Sequence, residues 1–190
     1  MSTVVFLTSQ EPSDTFLRRT FLYCRAAGEE MTGRAFHWAG ALLLASLPQS
    51  GYGADPGLVT LPSKYSVQET IERFEAAIRA KSDQGWMVFT ELDHAAAAAK
   101  NGLTLPPRTV VVFGNPRGGT PNMQKAPTLA IDVPPKALVW QDDQGKVWLT
   151  FNSGEYLLNY VYPRHGLPPS PAAAKAFDEF VKHAAEQATE

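Results

Sequence analysis

The stretch Lys136 to Asn152, KALVWQDDQGKVWLTFN, constrains the fold more than any other part of this chain. Two runs rich in β-branched and aromatic residues flank a polar turn at Asp143-Gln144-Gly145. Such runs joined by a short Asp- and Gly-bearing turn form an antiparallel hairpin. Successive strand side chains point to opposite faces. Val147, Leu149 and Phe151 therefore share one face, and Trp148 and Thr150 share the other. A sheet with an apolar face needs a second layer over it. The chain is accordingly expected to be α+β: one domain, a curved antiparallel sheet with helices packed mainly on one face.

The flanking segments agree. GLVTLPSKY reads as a strand with Pro62 near its end. Ser66 and Glu69 form a capping box for a helix whose Val67, Ile71, Phe74 and Ile78 make one apolar stripe. Glu75 and Arg79 are expected to pair on its outside. WMVFTEL is a strand, and Asp93 caps the short helix HAAAAAK, ended by Asn101-Gly102. Pro106-Pro107 introduces RTVVVFG, apolar enough for a central strand buried on both faces. APTLAIDV holds about one helical turn, and Ser153 opens a short helix over SGEYLLNYVY. After the Pro-rich PRHGLPPSP, a C-terminal helix over 172–189 carries Phe177, Phe180, Val181 and Ala184 at helical spacing.

Before this domain, which spans 55–190, the pattern changes. Arg34 precedes an apolar run from Ala35 to Leu47, followed by Gly51-Tyr52-Gly53-Ala54. A positive charge, a short apolar run and small residues are the parts of a secretory signal. The run is shorter than the roughly twenty apolar residues of a spanning helix, so no stable membrane anchor is expected. Residues 31–54 are read as the signal, cleaved after Gly53 or Ala54, with Met31 the true start and 1–30 an upstream extension. The expected location is outside the cytoplasm, in the periplasm. Export removes the single cysteine, Cys24, and with it any thiol nucleophile or thiolate metal ligand. From Asp55 onward thirteen Lys/Arg face fifteen Asp/Glu without a basic block, so no nucleic-acid partner is expected.

One loop invites a sharper reading. VVVFGNPRGGTPNM brings a β-rich run to a glycine-dense segment, where a phosphate cradle would lie. A phosphate-binding loop needs Lys and Ser/Thr after its last glycine. Here Thr120-Pro121 follow Gly119, so the segment is no such loop. Gly114, Gly118 and Gly119 instead permit left-handed backbone, as in a rigid connector or a ligand-facing rim.

ELDHAAAAAKNGLTLPPRTVVVFGNPRGGTPNM, then AIDVPPKALVWQDDQGKVWLTFNSGEYL and RHGL, resemble the DUF302 family, a family of unknown function, over about residues 57–168. Asp-His before an alanine-rich helix, FGNP with GTP-x-M, D-x-P before the hairpin, and Arg-His-Gly carry the resemblance. It implies a fold of the TATA-binding-protein-like, helix-grip type, often dimeric, and supplies no reaction. The chain departs from the family at Asn122, where an apolar residue is usual. LLNYVYP also adds residues before Arg164-His165.

The candidate site residues are His94, Asn115, Gly119, Thr120, Met123 and His165. His94 follows the capping Asp93 at a helix N-terminus, the setting of a ligand or general base. His165 lies beside Gly166 in a turn that aims its ring. His94, Met123 and His165 together would suit a soft metal such as copper. Asp132, Asp142, Asp143 and Glu155 read as turn and cap residues. No motif names a cofactor.

The favoured expectation is an exported homodimer binding a small molecule or a metal ion near His94, the 114–123 loop and His165. One alternative is a hydrolase- or isomerase-like enzyme with His94 as general base, oriented by Asp93. The other is an assembly module without a ligand, using the sheet edge and the aromatics Trp140, Trp148, Phe151, Tyr156, Tyr160 and Tyr162 as an interface.

Overall fold

The computed structural model describes residues 57–190, so the signal-like segment 31–54 and residues 1–30 lie outside the described residues. Five strands form one antiparallel sheet in the order β1-β5-β4-β3-β2. They are β1 (Leu58–Ser63), β2 (Met87–Asp93), β3 (Arg108–Gly114), β4 (Lys136–Gln141) and β5 (Val147–Asn152). The hairpin anticipated from its alternation is β4–β5, with Val139 opposite Leu149 and Trp140 opposite Trp148. Its turn is tied by Asp142, whose carboxylate accepts from the Gln144 and Lys146 amides and from Trp148 Nε1 at 2.9 Å. Chiefly that indole bond holds the Asp142 carboxyl below its ordinary pKa.

Ala137, Val139, Leu149, Phe151, Val111 and Phe113 are all buried on one sheet face. Two helices cover that face: α1 (Val67–Arg79) and the C-terminal helix Pro171–Thr189, which also pack on each other. Ser66 caps α1 by accepting from the Glu69 amide, and Ile71, Phe74 and Ile78 enter the core. Val181, Ala184, Ala185 and Ala188 of the last helix complete it, their small side chains allowing close approach. β3 is next to the edge rather than central, yet Val111, Val112 and Phe113 are buried in succession, as its continuous apolar run requires.

Glu75 corrects the expectation of an outward pair. Its carboxylate meets the Arg79 guanidinium at 2.8 Å, but Glu75 is only 7% exposed. It lies four residues after Ile71 and so shares the core-facing stripe. Burial, followed by a hydrogen bond with Glu75, raises the pKa of Glu91 on β2.

The glycine-rich segment is not a loop. Pro116–Lys125 is a helix, α3, despite containing two glycines and Pro121. Gly118 and Gly119 take no left-handed conformation there; among the described residues the positive-φ glycines are Gly85, Gly102, Gly145 and Gly166. Intrinsic propensity alone would not build this helix. Asn115 caps it, with Oδ1 accepting from the Arg117 amide at 3.0 Å. Two further bonds tie it to the turn before β2: Asn115 Nδ2 donates to the Gln84 carbonyl and Arg117 Nη1 to that of Asp83. Gly85 makes this approach feasible. Its φ is 95°, and a Cβ there would stand 2.8 Å from Asn115 Oδ1.

After the 3-10 segment Pro127–Ile131 and the β4–β5 hairpin, Ser153 opens a helical stretch with a wide middle. Gly154–Tyr156 and Tyr162–Arg164 are α-helical, and Leu157–Val161 between them is a π-helix. Pro163 explains the widening: it has no N–H to donate to Asn159, and its ring crowds that carbonyl.

Candidate functional site

A cavity of about 670 Å³ opens at the end of the sheet where β3 runs into α3. Trp86 forms one wall, stacked on Phe180 of the C-terminal helix with centroids 4.0 Å apart, and flanked by Phe177 at 6.4 Å. Phe89 contributes from the edge strand. The register of β2 on β3 shifts between Val88 and Thr90, and this bulge frees Phe89 from strict alternation. Phe89 then lies over Gly114, where a Cβ would stand 3.2 Å from its ring. The helical stretch after β5 supplies Leu158 from its π-helical middle and Tyr162 from its last α-helical turn, and α3 supplies Gly119, Asn122 and Met123. Burial raises the pKa of the Tyr162 hydroxyl.

The candidate residues divide between this cavity and places away from it. Asn115, Gly119 and Met123 line it, on a segment that is a helix rather than the loop its glycines suggest. Thr120 is exposed on α3 and is not among the lining residues. His94 is the exposed first residue of α2 (His94–Ala99), whose cap is Asp93. Asp93 Oδ1 accepts from the Ala96 amide at 2.9 Å, so the carboxylate serves the helix.

His165 belongs to a different arrangement, its side chain only 8% exposed. Its Nε2 lies 2.7 Å from Asp132 Oδ2, and its Nδ1 lies 2.9 Å from Thr128 Oγ1. Both ring nitrogens are thus used to clamp the turn after the π-helical stretch onto the 3-10 segment. The structure does not bring His94, Met123 and His165 to one site. Among the described residues no group of three or more His, Cys, Asp or Glu stands together as a metal centre.

Trp86, Phe89, Phe177 and Phe180 carry no sequence signal of a site, and Tyr162 reads only as part of an aromatic interface. Phe177 and Phe180 did register as an apolar helical stripe. A stripe carries no sign of whether a neighbouring layer or a void lies beyond it.

Fold and site together define an α+β domain with an aromatic-walled cavity at one end of an antiparallel sheet. The chain belongs to the family described as domain of unknown function DUF302, whose model matches residues 59–188. A crystal structure of an uncharacterized conserved DUF302 protein from Bacillus stearothermophilus shares the fold. Its TM-score is 0.56 at 16% identity, over 69% of this chain and 97% of that one.

Two curated relatives are much closer in sequence. The fluoride-specific ion channel FluC 1 of Brucella suis biovar 1 is 44% identical over 137 residues, which are 72% of this chain and 51% of that protein. The fluoride-specific ion channel FluC 2 of Brucella melitensis biotype 1 matches at the same identity, over 72% of this chain and 48% of that protein. The chain spans about half the length of these relatives. Among the described residues no helix is long and apolar enough to cross a membrane.

Proposed function

We propose that this domain binds a small, mainly apolar molecule in the cavity between β2, α3 and the C-terminal helix. One observation carries the reading: a concave space of about 670 Å³ walled by Trp86, Phe89, Phe177 and Phe180. Ligand sites of soluble proteins have this size and character, with a few polar groups among apolar walls. The test is a thermal-shift screen of the full chain against neutral apolar compounds. A ligand at one hundred times its Kd adds about 2.7 kcal/mol, a shift of a few degrees. Ala176→Trp places an indole into the cavity from an exposed position on the C-terminal helix and is expected to abolish the shift. Unchanged melting with every compound would overturn the reading.

The exported homodimer belongs to the same proposal. Arg34 and the run Ala35–Leu47 support export. The edge strand β2, with Met87 43% and Leu92 50% exposed, supports pairing of two copies. Recovery from the cytoplasm with 31–54 intact would remove the first part, and a single-chain mass in light scattering the second.

A second reading comes from the relatives. We propose that the half of those channel proteins matching this chain is an appended domain and that their pore lies in the other half. The absence of a membrane-crossing helix among the described residues supports it. Liposomes carrying this chain alone are expected to leak fluoride at background rate; flux above background would overturn it.

A further inference from the structure

We infer that the cavity selects a neutral, ring-bearing molecule and turns away its anionic counterpart, an inference that rests on the ligand-binding reading above. The wall carries no charged side chain: no Asp, Glu, Lys, Arg or His is among the described residues that line the cavity. A carboxylate entering such a space would lose its hydration and gain no counter-charge, which is strongly unfavourable.

The N-terminus of α3 faces the cavity through Asn115, Pro116 and Gly118. A helix N-terminus normally offers free amides to an anion. Here none of the first positions has one to give. Pro116 has no N–H, and the Arg117 amide is taken by Asn115 Oδ1 at 3.0 Å. The Gly118 and Gly119 amides both donate to the Asn115 carbonyl, at 3.1 and 2.9 Å. The glycine-dense segment is closed upon its own cap. The Asn115 amide group is likewise spent, on Gln84 and Arg117.

What remains is aromatic surface and a few neutral polar groups. Trp86, Phe89, Phe177, Phe180 and Tyr162 offer ring faces and edges, which favour an aromatic guest over an aliphatic one of equal area. No side chain among the described residues bonds the Tyr162 hydroxyl, and burial keeps its proton in place. It is therefore a neutral donor for a hydroxyl or carbonyl on the guest. Asn122 Oδ1 adds an acceptor, its Nδ2 being held by the Gly118 carbonyl at 3.2 Å.

The test is calorimetric titration of the full chain at neutral pH with 2-naphthol, 2-naphthoate and 1-octanol. The first two share a ring system and differ in charge; the third is neutral without a ring. 2-Naphthol is expected to bind at least about tenfold more tightly than either of the others. Tyr162→Phe should weaken it several-fold without changing the melting temperature, and Ala176→Trp should remove it. Naphthoate binding as tightly as naphthol overturns the exclusion of anions, and octanol binding as tightly overturns the ring preference. In both cases the cavity remains a ligand site. Naphthol binding that survives Ala176→Trp lies elsewhere and overturns the inference. Failure of all three probes together with a flat thermal screen removes the ligand-binding reading itself.

Discussion

Phe113→Ala is expected to lower the free energy of unfolding by about 4 kcal/mol, within the range for truncating a buried aromatic. Phe113 is fully buried on β3, edge-on to Phe74 of α1 with centroids 5.3 Å apart and planes at 84°. Its ring also backs Trp86 at 6.3 Å. The rigid sheet around it cannot collapse into the space left, so transfer and cavity costs add. A domain of this size is stable by only some 5–15 kcal/mol, and the loss is therefore a large fraction of the whole. Urea denaturation followed by tryptophan fluorescence measures it. Because Trp86 loses its support, ligand affinity should fall in the same variant. A loss below about 1 kcal/mol would mean that the core does not depend on this ring.

Gly154→Ala should cost about 3 kcal/mol, the upper part of the range for overpacking. Gly154 starts the helical stretch after β5 and meets the C-terminal helix backbone to backbone. A Cβ there would fall on the Ala174 carbonyl, with its carbon at 3.0 Å and the Ala174 Cα at 3.1 Å. None of these atoms belongs to a flexible side chain that could move aside. The contact is further fixed by the Gly154 amide, which donates to Asp178 Oδ1 at 2.6 Å. Opening this junction displaces the stretch that carries Leu158 and Tyr162 into the cavity wall. Gly118→Ala is the control. It lies inside α3 with nothing within 4 Å of the added Cβ, and should stabilise by about 0.5–1 kcal/mol. Equal effects at the two positions would show that glycine content, not the contact at Gly154, sets the result.

The contrast between these two glycines marks how far the chain can be read without its tertiary structure. Composition does not tell them apart, yet one is a helical interior with open space and the other a close crossing of two helices. The loop expected at Gly118-Gly119 and the outward Glu75 both fail, for related reasons. Each was judged from its neighbours in sequence. Their conformations depend on Asp83 and Gln84 in one case and on the packing of α1 over β2 in the other. His94, Thr120 and His165 illustrate the same limit for the site. Residue type and cap position nominated them. The structure places His94 and Thr120 at the surface, and commits His165 to Asp132 and Thr128.

The amino-acid sequence by itself determined the α+β class, the β4–β5 hairpin and the caps of α1 and α2. These rest on alternation, helical spacing and side-chain to backbone bonds within a few residues, interactions too local to depend on the rest of the fold. Tertiary structure alone decided that α3 is a helix, that Phe89 turns at a bulge, and that Trp86, Tyr162, Phe177 and Phe180 border a cavity at the margin of the core. A cavity is where separately formed elements fail to meet. Its existence depends on their relative placement, which no local pattern records.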